Sequence, residues 1–345
     1  MRIWGRALLI GFTYIGTVVG AGFATGQEIL QFFTLYGQWA VLSILLSSFL
    51  FLWLGTKIML ISRELRAKSY EDLNAHLFGE TAGRWISMFI FILLLTITAV
   101  MLAGAGAVFQ EHFNLSYQSG LLFTALLVLI VNSNGMNGIK TVNSIVVPLM
   151  LLFLMIILFT TLQMPTSDHF LSLETAQPLW RIVLSPFVYA AFNLSLAQSV
   201  LVPLGATTEN PRVIQLGGLL GGIGITIMLL AGHISLSAHM PGVSQYNIPM
   251  GYIISTLGPM ISFLFILLIF AEIFTTLIAN IYGMTLQIRQ HVNLGPDRIT
   301  LVLLLFCYAV SQFGFRTLLS TLYPILGMIS LGWLGMLIVK RRDSF

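Results

Sequence analysis

Apolar runs of membrane length alternate along this chain with short polar intervals. A bilayer core needs about 20 apolar residues per helical crossing. On that measure the pattern predicts ten transmembrane helices, near 6–34, 38–62, 84–110, 117–133, 139–163, 179–205, 211–236, 256–289, 297–314 and 317–339. Asn210-Pro211 and Gly295-Pro296 place proline in a first helical turn, where its missing N–H costs nothing. Between the second and third spans, Ser69-Tyr70-Glu71-Asp72 resembles a capping box and Gly79 suits a C-terminal cap. A short helix over 70–78 is therefore expected on the inner membrane surface, with a structural role given its mixed charges.

Composition removes the soluble alternatives. Of 345 residues, 57% are hydrophobic and 8% charged, with a mean hydropathy of +0.94. A soluble core of this size needs far more charge to cover it. The net charge of +4 is no nucleic-acid signal, because the basic residues lie between apolar spans. Cys307 is the single cysteine, which excludes an intrachain disulfide and a CxxC metal site. A cleaved leader over residues 1–24 is the lesser reading of the N-terminus, since its glycine-rich end fits a retained helix better. No HExxH, GxSxG, Walker or Rossmann pattern occurs, so the chain does not read as an enzyme.

Lysine and arginine set the orientation. With the N-terminus inside, Arg2, Arg6, Lys57, Arg63, Arg66, Lys68, Arg84, Lys140, Arg212, Arg289, Arg298, Lys340, Arg341 and Arg342 all fall on the cytoplasmic side. Only Arg181 and Arg316 fall outside, as anchors at the outer ends of the sixth and tenth spans. Both termini are expected to be cytoplasmic.

The first span carries the least ordinary segment. Gly16, Gly20, Gly22 and Gly26 interrupt it, and Glu28 follows within the same crossing. Broken backbone survives at bilayer depth only where protein or a water-filled cavity satisfies it. An ionisable residue there is a functional hypothesis by default. Ten spans divide into two halves of five, and an odd half makes the second enter from the opposite side. That is the arithmetic of an inverted repeat in one transmembrane domain of residues 1–345, with repeats of about 1–165 and 176–345. The sixth span should then break near Asn193–Ser195, as the first does near Gly20–Gly22; Pro186, Gln198 and Pro203 lie in the same span.

Free backbone groups around Gly20, Ala21 and Gly22, at the start of a half-helix, suit an anion such as a carboxylate. Plain small-residue packing is the bland alternative, since Gly16 and Gly20 have GxxxG spacing. Glu28 has two readings. It closes a capping box with Thr25, or it is a proton-coupling or gating carboxylate. In the eighth span Glu272, Thr275, Thr276 and Asn280 share one face of an apolar helix. Oxygen ligands of this kind suit a small hard cation, on an extension to sodium of what holds for calcium and magnesium. Interhelical hydrogen bonding is the alternative for the same residues. His233, near the outer end of the seventh span, reads as an interface residue, and Lys140 as an ordinary cytoplasmic one.

The run Gly16-Thr-Val-Val-Gly-Ala-Gly-Phe-Ala-Thr-Gly-Gln-Glu28, with Ser69-Tyr-Glu-Asp-Leu73 and the ten-span length, resembles the YkvI-like membrane proteins. These are grouped as amino acid permeases in the amino acid–polyamine–organocation superfamily. The resemblance implies a LeuT-like all-α membrane fold with broken helices 1 and 6. It implies that Val19-Gly20-Ala21-Gly22, with Thr17, holds a substrate carboxylate. Phe192-Asn-Leu-Ser-Leu196 would supply Phe192 as a lid and Asn193 and Ser195 as polar contacts. A sodium ion would take carbonyls of Gly16 and Val19 with Glu272, Thr275 and Thr276. Phe23 stands where that family's first sodium site has asparagine, which argues against that site. The acid Glu272 is not in the usual pattern, which keeps proton coupling open alongside sodium.

The resulting expectation is a cation-coupled symporter of a small or neutral amino acid, in a bacterial inner membrane and surrounded by lipid. Spans 1, 2, 6 and 7 would rock against 3, 4, 8 and 9. No organic cofactor, nucleic acid or obligatory protein partner is implied. The rival is an amino acid-sensing receptor subunit of the same fold, which binds without transport. A passive channel is disfavoured, because no ring of charge or continuous polar stripe crosses the spans.

Overall fold

The computed structural model describes residues 2–246, 248–312 and 329–339. Among these the regular structure is helical, without strands. The first crossing is divided into α1 (Arg2–Val18), α2 (Ala21–Ala24) and α3 (Gln27–Phe32). The second is α4 (Ala40–Leu50), which runs through a π-turn at Phe51–Gly55 into α5 (Thr56–Leu65). There follow α6 (Tyr70–Phe78), α7 (Glu80–His112), α8 (Tyr117–Asn132), α9 (Gly135–Thr161) and the one-turn α10 (His169–Ser172). The second half holds α11 (Leu179–Ala206), α12 (Pro211–Ala238), the short α13 (Pro249–Ser255), α14 (Pro259–His291) and α15 (Pro296–Ser311). A last helix, α16, covers Ile329–Val339.

Among the described residues six helices are long and apolar enough to cross a bilayer by length and composition: Thr34–Leu65, α7, α9, α11, α12 and α14. The other expected spans correspond to shorter helices, α1 to α3, α8, α15 and α16. The start of the tenth span, with Arg316, and the basic cluster Lys340–Arg342 lie outside the described residues.

Two sets of helices pack among themselves. In the first, α1 lies along α12, α11 packs on α4 and α5, and α12 also meets α4 and α5. Small residues make the approach close: a methyl group at Gly221 of α12 would sit 2.6 Å from the Tyr14 ring of α1. Close backbone contact through small residues is how helices associate where lipid removes the hydrophobic drive. Tyr14 also explains the π-turn, because its hydroxyl donates to the Phe51 carbonyl at 2.7 Å. A side chain inserted into the backbone ladder is a recognised cause of such irregularity. In the second set, α7, α8, α14 and α15 pack mutually, and α9 bridges from α14 to α1 and α12.

The short helix begins and ends where the sequence placed it. Ser69 accepts from the Glu71 amide, Asp72 reaches back to the N-cap, and Gly79 closes the end with φ of 82°. This α6 is strapped to the end of α14. Tyr70 donates to Gln287, Gln290 donates to Asp72 at 3.1 Å, and His291 pairs with Glu71 at 2.8 Å.

The sixth span departs from expectation. It is one continuous helix, Leu179–Ala206, through Asn193 and Ser195. The reason is local. Glycine first occurs in it at Gly205, so nothing in its centre weakens the helix as Gly16, Gly20 and Gly22 weaken the first. The polar side chains turn back onto their own helix: Asn193 donates to the Tyr189 carbonyl and Gln198 to the Ser195 carbonyl, both at 3.0 Å. Such self-bonding leaves the backbone ladder in place.

Candidate functional site

The first span breaks twice. Val19 and Gly20 are non-helical, with Gly20 extended, and Thr25-Gly26 forms a second turn before α3. The single break expected at Gly20–Gly22 is thus displaced, because Ala21–Ala24 closes a helical turn of its own. Gly26 adopts φ of +84°, a conformation that glycine takes without strain. The segment that leads into α13 braces this turn. The Met250 amide of α13 donates to the Thr25 carbonyl at 3.0 Å, and Gln27 donates through its side chain to the Tyr246 carbonyl at 2.9 Å.

Thr25 and Glu28 do not form the expected capping box. Gly26 is the N-cap of α3, and the Thr25 hydroxyl donates backward to the Gly22 carbonyl at 3.0 Å. Glu28 is buried, and its Oε1 packs against the Gly22 α-carbon, where a side chain on Gly22 would stand. The capping box expected of Glu28 is thus not formed. The Tyr189 hydroxyl of α11 lies within hydrogen-bonding reach of the same carboxyl. Tyr189 is itself fixed by edge contacts with Phe33 and Phe51, at centroid distances of 4.9 and 5.8 Å.

Across from the first break lies α14. A methyl group on Gly20 would come within 2.9 Å of the Thr276 hydroxyl oxygen. The Thr275 and Thr276 hydroxyls both donate to the Glu272 carbonyl, at 2.9 and 3.1 Å. The polar face of α14 is thereby brought to the broken backbone of the first crossing. The Glu272 side chain is fully buried, and neither carboxyl oxygen finds a hydrogen-bond partner among the described residues. The same holds for the Asn280 amide nitrogen. Buried polar groups are nearly always satisfied, so such a cluster is exceptional. No group of three or more His, Cys, Asp or Glu side chains suited to a metal exists among the described residues. The oxygens available here belong to hydroxyls, carbonyls and one acid, a set suited to a hard cation rather than a soft, thiolate- or imidazole-seeking metal.

Thr17 and Gly20 remain partly accessible, while Val19, Ala21 and Phe192 are buried. The Thr17 hydroxyl donates to the Thr13 carbonyl at 2.6 Å. Ser195 is fully buried with an unpartnered hydroxyl, and Asn193 is buried with its amide turned to its own helix. His233 differs from expectation. It is fully buried, with Nδ1 3.2 Å from the Thr34 hydroxyl and Nε2 3.4 Å from the Phe170 carbonyl. Two polar partners within the fold hold it inside rather than at the interface.

Asn143 of α9 escaped the sequence reading. Its amide oxygen packs against Gly16, and neither amide atom has a partner although the residue has no exposed surface. A lone asparagine in an apolar span carries no spacing that marks it. Its position opposite Gly16 is a product of the packing of α9 on α1.

This all-helical arrangement, with a divided first crossing approached by α14, matches the fold of solved LeuT-type transporters. The structure superposes on MhsT in complex with L-phenylalanine with a TM-score of 0.70, 16% identity, and coverage of 96% of this chain and 87% of that one. A Na+-coupled sialic acid symporter in a substrate-bound outward-open state gives 0.68, 13% identity, and coverage of 97% and 79%. Mhp1, a nucleobase-cation-symport-1 family transporter, gives 0.58, 10% identity, and coverage of 96% and 77%. All three are transport proteins, and none is an enzyme. In sequence, the chain is 41% identical over 344 residues to the uncharacterized membrane protein YkvI of Bacillus subtilis (strain 168), covering 98% of this chain and 96% of the relative. The YyaD protein of the same organism is 24% identical over 331 residues, covering 95% of each. No family model matches. The chain belongs to the YkvI family of membrane proteins.

Proposed function

We propose that the chain is a secondary transporter that moves a small amino acid with a coupling cation, sodium before proton, by alternating access. The observation that carries this reading is the approach of Thr276 to Gly20, which sets the α14 hydroxyls against the break in the first crossing. Sodium-coupled symport in a protein of the same fold supports the cation, and an amino acid bound to another supports the substrate. Gly16 and Val19 carbonyls with Glu272, Thr275 and Thr276 form the cation site. Thr17, Gly20, Ala21 and Gly22 hold the substrate carboxylate, with Phe192, Asn193 and Ser195 across from it on α11. Glu28, folded onto Gly22, gates that site from the outer side. Ten spans in two inverted repeats, about 1–165 and 176–345, give the alternating motion its two halves. Both termini lie in the cytoplasm of a bacterial cell membrane.

The test is uptake of labelled amino acids into proteoliposomes with an imposed sodium or proton gradient, after a thermal-shift screen of the twenty amino acids with and without sodium. A specific ligand stabilises by mass action, so a sodium-dependent shift identifies substrate and ion together. Binding without accumulation would overturn transport and favour a receptor.

A further inference from the structure

On the side that the charge distribution assigns to the cytoplasm, the ends of α5 and α14 and the start of α6 line an open cavity of about 720 Å³. Its walls carry Arg66 and Lys68 from the α5–α6 connection and Arg289 and His291 from the last turns of α14. Leu65 and Leu286 give it an apolar part. The acids nearby are already engaged. Asp72 accepts from the Lys68 and Ser69 amides and from Gln290, while Glu71 pairs with His291. Arg66, Lys68 and Arg289 form no ion pair with any described acid. Three cations from two separate parts of the chain therefore converge on one concavity, with Asp72, held by neutral amides, as the single carboxylate among the lining residues.

Arg66 adds a second argument. It is the C-cap of α5 and sits in the left-handed region, with φ of 50° and ψ of 42°. Glycine is the residue that takes this position without cost. The chain holds an arginine there instead, with its side chain in the cavity wall. A conformational penalty borne at a charged cavity wall points to use of the charge.

We propose that this cavity binds a phosphate group, held by Arg66, Lys68 and Arg289. Guanidinium groups match phosphate oxygens with paired, charge-assisted hydrogen bonds, and basic pockets on the inner side of membrane proteins take lipid head groups in this way. The phosphate belongs to an anionic lipid or to a soluble ion, and the leucines fit the glycerol end of a lipid. The proposal does not depend on the transport reading.

The test uses the full-length protein in neutral detergent and follows its unfolding midpoint. Three probes are titrated: dihexanoyl phosphatidylglycerol, dihexanoyl phosphatidylcholine and inorganic phosphate. The anionic lipid should raise the midpoint, and the zwitterionic lipid at the same concentration should not. Arg66→Gly suits the cap geometry and should leave the unliganded midpoint unchanged or higher. Combined with Arg289→Gln it should weaken half-saturation roughly tenfold or more. Lys68→Gln, at an exposed position, should give a smaller loss in the same direction. A shift of equal size with inorganic phosphate assigns the site to a soluble ion. No shift with either phosphate probe, or an unchanged response in the double variant, overturns the proposal.

Discussion

Substituting Gly20 by alanine tests the geometry at the centre of the site. The added methyl group would lie 2.9 Å from the Thr276 hydroxyl oxygen, where ordinary contacts begin at 3.4 Å. The two must part by about 0.5 Å. Forcing a methylene into a packed interior costs about 1–3 kcal/mol. Moving the Thr276 hydroxyl also strains its 3.1 Å bond to the Glu272 carbonyl, which contributes about 1 kcal/mol. If both oxygens help to hold the coupling ion, a loss of about 2 kcal/mol weakens sodium half-saturation roughly thirtyfold. The decisive measurement is a double-mutant cycle of Gly20→Ala with Thr276→Ala, read as sodium-dependent stabilisation and as uptake. Thr276→Ala removes the atom that the new methyl group meets, so in that background Gly20→Ala should cost markedly less. An interaction energy of about 1 kcal/mol or more is expected. Additivity within about 0.5 kcal/mol would show that the two residues do not meet, and the site would lose its anchor.

Other outcomes follow from neighbouring contacts. Gly22→Leu should disrupt the region by driving Glu28 from its place, and Gly22→Ala should be partly relieved by Glu28→Ala; equal damage in both backgrounds would exclude the contact. Glu272→Gln keeps the backbone carbonyl that position 272 gives to the proposed cation site and should leave sodium-driven uptake largely intact, whereas abolition of uptake driven by a proton gradient alone would reverse the choice of ion. Reporter fusions at Phe345 and within the 166–175 loop should lie on opposite sides of the membrane; a common side would break the ten-span count. Asn143→Leu, which removes a buried unpartnered amide, should leave the fold at least as stable and reduce sodium affinity; unchanged affinity would reduce Asn143 to packing.

Much of this architecture was legible from periodicity and punctuation. The proline starts at Pro211 and Pro296 and the capped helix from Tyr70 to Phe78 stand where their local chemistry places them. Glycine also announced the divided first crossing, because a backbone freed by glycine has few ways to remain helical at depth. The sixth span misled for a physical reason. Asparagine and glutamine break a helix only when their side chains take bonds away from the ladder. Here Asn193 and Gln198 reinforce carbonyls of their own helix. The Thr25–Glu28 spacing misled likewise, because the left-handed turn at Gly26 moves the cap by one residue. Contacts between spans, such as Asn143 on Gly16 or Tyr189 beside Glu28, depend on how helices rotate against one another, which no linear pattern records.

The asymmetry between the two halves bears on how such a molecule moves. Around its breaks the first crossing meets four different elements: Gly16 meets Asn143 of α9, Gly20 Thr276 of α14, Thr25 Met250 of α13, and Glu28 Tyr189 of α11. The sixth span, α11, turns the amide nitrogens of Asn193 and Gln198 onto its own carbonyls and runs unbroken. Relative motion of the two helix sets can therefore proceed with α11 as a rigid rod, while α1 to α3 must exchange contacts. Of those contacts, Gly20 with Thr276 is the one that joins the two sets directly at the break. A cation that bridges these oxygens binds tightly only while the sets are together there. Ligand binding shifts a conformational equilibrium by its difference in affinity between two states and by no more. A site that exists in one arrangement and is pulled apart in the other maximises that difference. This is the physical reason to look for the coupling ion at the first break rather than in the unbroken sixth span.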